Sequence, residues 1–183
     1  MTLRSNMRKD VEVITRPVRQ ITVRTGRSWR QFRDDYERAV PLFDRLEAVG
    51  VARSGGDWEA IRQLSDVTAV NGFVNFSVFD PSPVMHVNGS TGNAVTYLTG
   101  NIVKAEPGFR RQPACFLHLP LRVVIAAADD EGEATLSVDH PADLFAAYSD
   151  AALDAVAAEF CAALAALLAH LGLPVPAELI NIA

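Results

Sequence analysis

The chain has 183 residues, 49% hydrophobic and 21% charged, with a formal net charge of −5. That length can bury a core without disulfides or a structural metal, and the composition excludes a disordered chain. The acidic balance argues against a general nucleic-acid binder, which needs a concentrated positive footprint.

The opening stretch, MTLRSNMRKDVEVITRPV, is polar and aperiodic, and residues 1–16 read as a loose arm. It has no continuous apolar core ahead of its charges, so no secretory leader is expected. VRQITVRTG then alternates apolar and polar residues as a half-buried strand does, ending at Gly26. Ser28 and Gln31 make a capping-box pattern for a helix with Trp29, Phe32, Tyr36 and Val40 on one face. The alternating charges of RSWRQFRDDYERAV are that helix's solvated side. Pro41 begins a second helical piece through Leu46 to Gly50, and Asp57 caps a short third helix.

GFVNFSVFD predicts a strand with Val74, Phe76 and Val78 on one face and Phe73, Asn75, Ser77 and Phe79 on the other. A loop rich in proline, glycine and asparagine leads to the strand AVTYLTG, after which Asn101 suits a helix cap. ACFLHLPLRVVIAAA reads as one long strand. Its odd positions, Cys115 to Ile125, are all apolar, and Phe116, His118, Pro120, Arg122 and Val124 occupy the opposite face. DDEG turns the chain into EATLSVD, an antiparallel partner. Pro141 opens a short helix and Asp150 caps the last one, whose seam is Leu153, Val156, Phe160, Leu164, Leu168 and Leu171. That segment is apolar enough to suggest a membrane span, but Asp154, Glu159 and the helical stripe favour a packed helix. The fold class is a single α+β domain over residues 17–172, a mostly antiparallel sheet with helices packed on one face, followed by a tail at 173–183.

The segment YLTGNIVKAEPGFRRQPACFLHLPLRVVIAAADDEGEATLSVDHPADLFAAY carries a recognisable order of marks. A strand ends in Gly-Asn, a short helix and a Leu-Pro-bearing strand follow, and an acidic Gly turn leads to a strand-to-helix junction at Val138-Asp139 and Pro141. In this order the chain resembles the Domain of Unknown Function 302 family, over about residues 17–172. It departs in having Ile102 where many relatives have proline, and SGGDWEAIRQLSD looks inserted. The resemblance implies a compact bacterial or archaeal α+β domain that dimerises through its sheet; it brings no reaction, cofactor or catalytic set.

Helices on the odd face of the long strand leave His118 and Arg122 on the uncovered one, with Asn75 across from them. Apolar walls with a few convergent polar groups make a ligand pocket, and the same surface suits a dimer interface. Asn75, Met85, His86, Tyr97, Asn101, His118 and Arg122 are therefore the candidate ligand-binding set. His86 and His118 are the candidate acid/base groups if the protein is an enzyme, though no catalytic set is legible. Met85 beside His86 is a pair that ligates haem or a soft metal, but without a second spaced ligand no metal site or cofactor is indicated. NGSTGN lacks the Lys and spacing of a phosphate loop. Cys115 and Cys161 read as buried reduced thiols of a cytoplasmic protein. Cys115 and His118 fall on opposite strand faces, which argues against a nucleophile–base pair. The leading expectation is a cytoplasmic homodimer binding a small ligand at the sheet face, with neither nucleic acid nor membrane as partner. The alternatives are an enzyme acting on a small anionic metabolite and a structural or partner-binding module.

Overall fold

The computed structural model describes residues 13–181. Its strands are β1 (Gln20–Ser28), β2 (Val74–Phe79), β3 (Asn93–Gly100), β4 (Leu121–Ala127) and β5 (Glu133–Asp139). They form one antiparallel sheet in the order β1-β5-β4-β3-β2. The helices are α1 (Trp29–Ala39), α2 (Arg45–Arg53), α3 (Trp58–Thr68), α4 (Ser82–His86), α5 (Ile102–Arg111), α6 (Pro141–Phe145) and α7 (Ala151–His170). This is the expected α+β domain. Residues 1–12, most of the anticipated arm, lie outside the described residues.

Alternation decides which face is covered. Ile21, Val23, Val95, Tyr97, Leu121, Val123, Ile125, Leu136 and Val138 are all buried on one side. The reverse side carries Thr22, Thr96, Val124 and Ser137, joined in one row by the strand registers Thr96↔Val124, Val124↔Ser137 and Thr22↔Ser137. Arg24 and Arg122 on that side are exposed. The six predicted seam residues, from Leu153 to Leu171 just past the end of α7, are all buried, and Phe160 faces Phe73 with ring centroids 6.0 Å apart. Helix α7 is long and apolar enough to cross a membrane by length and composition, yet its apolar seam forms the centre of this core. Leu173 and Leu179, beyond the helix, are buried as well.

Three local expectations are corrected by backbone detail. Strand β1 does not stop at Gly26; a register irregularity between Arg24 and Ser28, with Gly26 at φ 66°, carries it on to Ser28. The Ser28 side chain makes no cap bond, and the Trp29 N–H instead donates to the Gly132 carbonyl at 3.1 Å. Residues 41–43 are extended, because Asn75 N–H donates to Pro41 O and Phe43 N–H to Asn75 O, both at 2.9 Å. Asp44 then caps α2, accepting from Leu46 and Glu47 N–H groups.

Strand β2 carries a bulge between Asn75 and Ser77. One extra residue inverts strand parity. Phe73 and Asn75 therefore face the core, against expectation, while Ser77 and Phe79 lie on the open face, as expected. The long strand over residues 114–128 is also shorter than its alternation implies. Pro113–Leu117 wind into a 3-10 turn and β4 begins only at Leu121. Pro113 is preorganised for the first helical position, and Pro120 has no N–H to give a strand partner. Leu117, expected in the core, is 81% exposed.

Candidate functional site

Three chain segments meet at one end of the sheet. Residues before β1, residues before β4 and the last residue of β5 are neighbours there, because β5 runs antiparallel to both β1 and β4. Together they form a cleft of about 370 Å³ that holds Arg16, His118, Arg122 and Asp139, with Leu98 and Leu144 among its apolar walls. Arg122 stands opposite Leu98 on β3, exposed, and Asp139 opposite Gln20 on β1.

His118 is not a strand residue. It closes the 3-10 turn, where its N–H donates to Cys115 O at 2.9 Å, and it still reaches the cleft it was expected to share with Arg122. Its ring packs edge-on against Phe145 and Tyr148, at centroid distances of 6.1 and 5.8 Å. Arg16 Nη2 lies 3.2 Å from each ring nitrogen, and Arg16 Nη1 donates to Leu144 O at 3.0 Å. Equal distances to two nitrogens whose in-plane directions diverge put Nη2 over the ring face, and a cation there disfavours a second positive charge on the imidazole. Burial, and then the nearby Arg16 charge, hold the His118 pKa below its ordinary value. Cys115, three residues earlier, is fully buried, and burial raises its thiol pKa, so it offers no ready thiolate.

The other candidates sit elsewhere. Asn75 and Tyr97 belong to a polar seam between α1 and the sheet. Thr99 Oγ1 donates to Asn75 Oδ1 at 2.7 Å, so its own oxygen accepts from the Tyr36 hydroxyl, also at 2.7 Å. Asn75 Nδ2 donates to Val40 O at 2.8 Å. The Tyr97 hydroxyl donates to Glu37 Oε1 at 2.7 Å, and Arg33 bridges Glu37 and Asp80 at 3.0 and 2.6 Å. Asn101 caps α5, accepting from Val103 and Lys104 N–H groups while donating to Gly72 O. These side chains have their partners within the fold.

Met85 and His86 lie at the far end of the sheet. They follow β2 and precede β3, and His86 Nε2 donates to Gly92 O at 3.1 Å, next to the end of β4. His118 precedes the start of β4, six residues or about 20 Å of strand away. The two histidines therefore do not line one cavity within the chain. Strand order alone foretells this separation: in an antiparallel pair, the loop before one strand and the loop before its partner lie at opposite ends. The proline- and glycine-rich loop itself is a structured turn. Ser82 Oγ donates to Ala94 O and accepts from Ala94 N–H, tying α4 back to β3. Gly89 takes the positive φ of 81° that the Asn-Gly pair signals. No group of three His, Cys, Asp or Glu able to hold a metal ion occurs among the described residues.

The family model for the domain of unknown function DUF302 matches residues 55–171. The chain belongs to the DUF302 family. The match takes in α3, so that helix lies within the family's span. A similar solved structure is that of an uncharacterized conserved DUF302 protein from Bacillus stearothermophilus, with a TM-score of 0.57 and 16% identity over 82% of this chain and 95% of that one. At that identity the likeness speaks for the fold alone. No curated protein matches the chain. Of the cleft residues, His118, Arg122 and Asp139 fall inside the DUF302 match, whereas Arg16 precedes it. Arg16 is the participant that sequence reasoning missed. Its one signal is its position just ahead of a strand predicted to join the sheet.

Proposed function

We propose that this DUF302 domain is a cytoplasmic homodimer that binds a small anionic ligand in the cleft beside His118 and Arg122. The observation that carries the reading is the convergence of Arg16, Arg122 and the His118 imidazole in a space of about 370 Å³. Guanidinium groups recognise carboxylates and phosphates through paired N–H donors, and the adjoining Leu98 and Leu144 suit an apolar body. Asp139, in the same cleft, would select against a second anionic group on that side.

Support for pairing comes from the open sheet face. Its central row is Phe79, Thr96, Val124, Ser137 and Thr22, mostly short side chains on a surface that the helices leave bare. Two such faces can stack as sheets do, about 10 Å apart. The buried, unpaired Cys115 and Cys161 fit a reducing compartment. The set of seven candidate residues narrows to His118 and Arg122 in this reading, joined by Arg16. The test is calorimetric titration with a panel of small carboxylates and inorganic phosphate, repeated on Arg122→Ala. Saturable binding to the wild type that is lost in the variant supports the site; unaltered binding in Arg122→Ala refutes it.

An enzymatic reading is favoured by one feature only, the His118 imidazole at the cleft, whose pKa burial and Arg16 lower and which can act as a base toward a bound acid. His118→Ala that retains binding but loses turnover of a bound metabolite would establish it.

A further inference from the structure

A second cleft lies away from the sheet face, between α2 and α3. It has a volume of about 460 Å³, and Phe43, Ala48, Val49, Trp58, Ile61 and Leu64 are among its walls. Helix α2 buries none of its nine residues, so its apolar side is offered to this cleft without being held by the core. A smaller apolar cleft adjoins it. Ile102 also walls a neighbouring cleft of about 230 Å³ lined by Phe76, Phe116 and Phe160, and the Phe43 and Phe76 rings meet edge-on between the two at 4.9 Å.

The charges at its rim are unequal in availability. The Asp57 carboxylate caps α3, accepting from Ala60 N–H at 3.0 Å. Arg45, also on the rim, has no ion-pair partner among the described residues. We propose that this cleft holds the aliphatic chain of a free medium-chain carboxylic acid, with the carboxylate on Arg45. The volume lies within the usual range for ligand pockets, about 300–1,000 Å³. A single guanidinium among apolar walls matches a ligand with one anionic head and one apolar tail. This site is independent of the sheet-face cleft, with which it shares no lining residue.

Trp58 is a built-in reporter: it lines the cleft and is 39% exposed, whereas the other tryptophan, Trp29, is 5% exposed. The full chain is titrated with decanoate below its micelle concentration while tryptophan emission is followed. A saturable blue shift that is absent in Trp58→Phe is the expected result. Octanoate should bind about sixteenfold more weakly, from about fourfold per methylene. Arg45→Gln should weaken decanoate by about tenfold or more while leaving decanol unchanged. Ala48→Phe, on a helix that buries nothing, should keep its circular dichroism and lose both ligands in calorimetry. No saturable response in the wild type overturns the proposal, as does equal affinity for decyltrimethylammonium. Binding to phospholipid vesicles without binding to monomeric decanoate overturns it in favour of a membrane surface.

Discussion

At the scale of single residues, the chain uses polarity inside the fold mainly to make connections. Thr99 illustrates this: its one hydroxyl joins Tyr36 to Asn75, and through Asn75 to the carbonyl of Val40. Thr99→Val keeps the shape but leaves the Tyr36 hydroxyl and Asn75 Oδ1 short of a partner. At about 1–3 kcal/mol for each unsatisfied buried group, urea unfolding should show a loss of about 2–4 kcal/mol at unchanged m. Asp143 accepts from Arg19 N, Nε and Nη2 at 2.7–2.9 Å, and the Arg19 bonds hold its carboxyl below the usual range. A lowered folded value stabilises the native state fully above the unfolded carboxylate value near 4, and this contribution is lost as pH falls through the folded value. Asp143→Asn should therefore flatten the stability profile below about pH 4; an unchanged acid limb would contradict the Arg19 pairing. His118 obeys the same sign at higher pH. Its contribution is complete above the unfolded value near 6.5 and falls away as the medium becomes more acid. Proton NMR should place the His118 midpoint below about 6.5 and move it upward in Arg16→Gln.

At the scale of elements, sequence legibility followed the regularity of the backbone. The α7 seam, the β5 alternation and the caps at Asp57, Asn101 and Asp150 could be read because each rests on an unbroken period or a local hydrogen bond. Phe160 is fully buried in that seam, and Phe160→Ala should cost about 3–5 kcal/mol in denaturant unfolding. What could not be read were interruptions. The β2 bulge reverses the faces of Asn75 and Phe73, and no composition signal marks it. In residues 114–120 the apolar alternation imitates a strand although Pro113 and Pro120 oppose one. Their weight was recoverable, since a proline inside a central strand removes a ladder hydrogen bond. The candidate site was legible where one error did not matter: His118 reaches Arg122 from a turn instead of from the same strand. Met85 and His86 were misplaced because proximity in sequence to a sheet face says nothing about which end of the sheet a loop occupies.

For the whole molecule, the arrangement is a sheet with one face filled by helices and the other bare, its central row mostly short side chains. If that second face is where two copies meet, light scattering should give twice the monomer mass of 19.8 kDa. Val124→Glu, in the middle of the face, should return the monomer without unfolding it, because Val124 is only half-buried and outside the core. A wild type that is monomeric at micromolar concentration would remove the dimer from the proposal and leave the cleft to stand alone.

The adjoining rings of Tyr36 and Tyr97, tilted at 48° with centroids 4.7 Å apart, have a consequence for optical work in alkali. Burial first of all raises both phenols far above their ordinary value; at Tyr97 the bond to Glu37 adds to it. A raised acid favours the native state below the unfolded value near 10, and that contribution disappears as the medium becomes more basic. Tyr148, raised less far, is the only other tyrosine in the chain. Phenolate absorbance on stepping the protein to strong base should thus appear in two stages, a prompt one from Tyr148 and a delayed one that keeps time with unfolding. The ultraviolet spectrum becomes a clock for the opening of the α1–sheet seam, readable without any added dye.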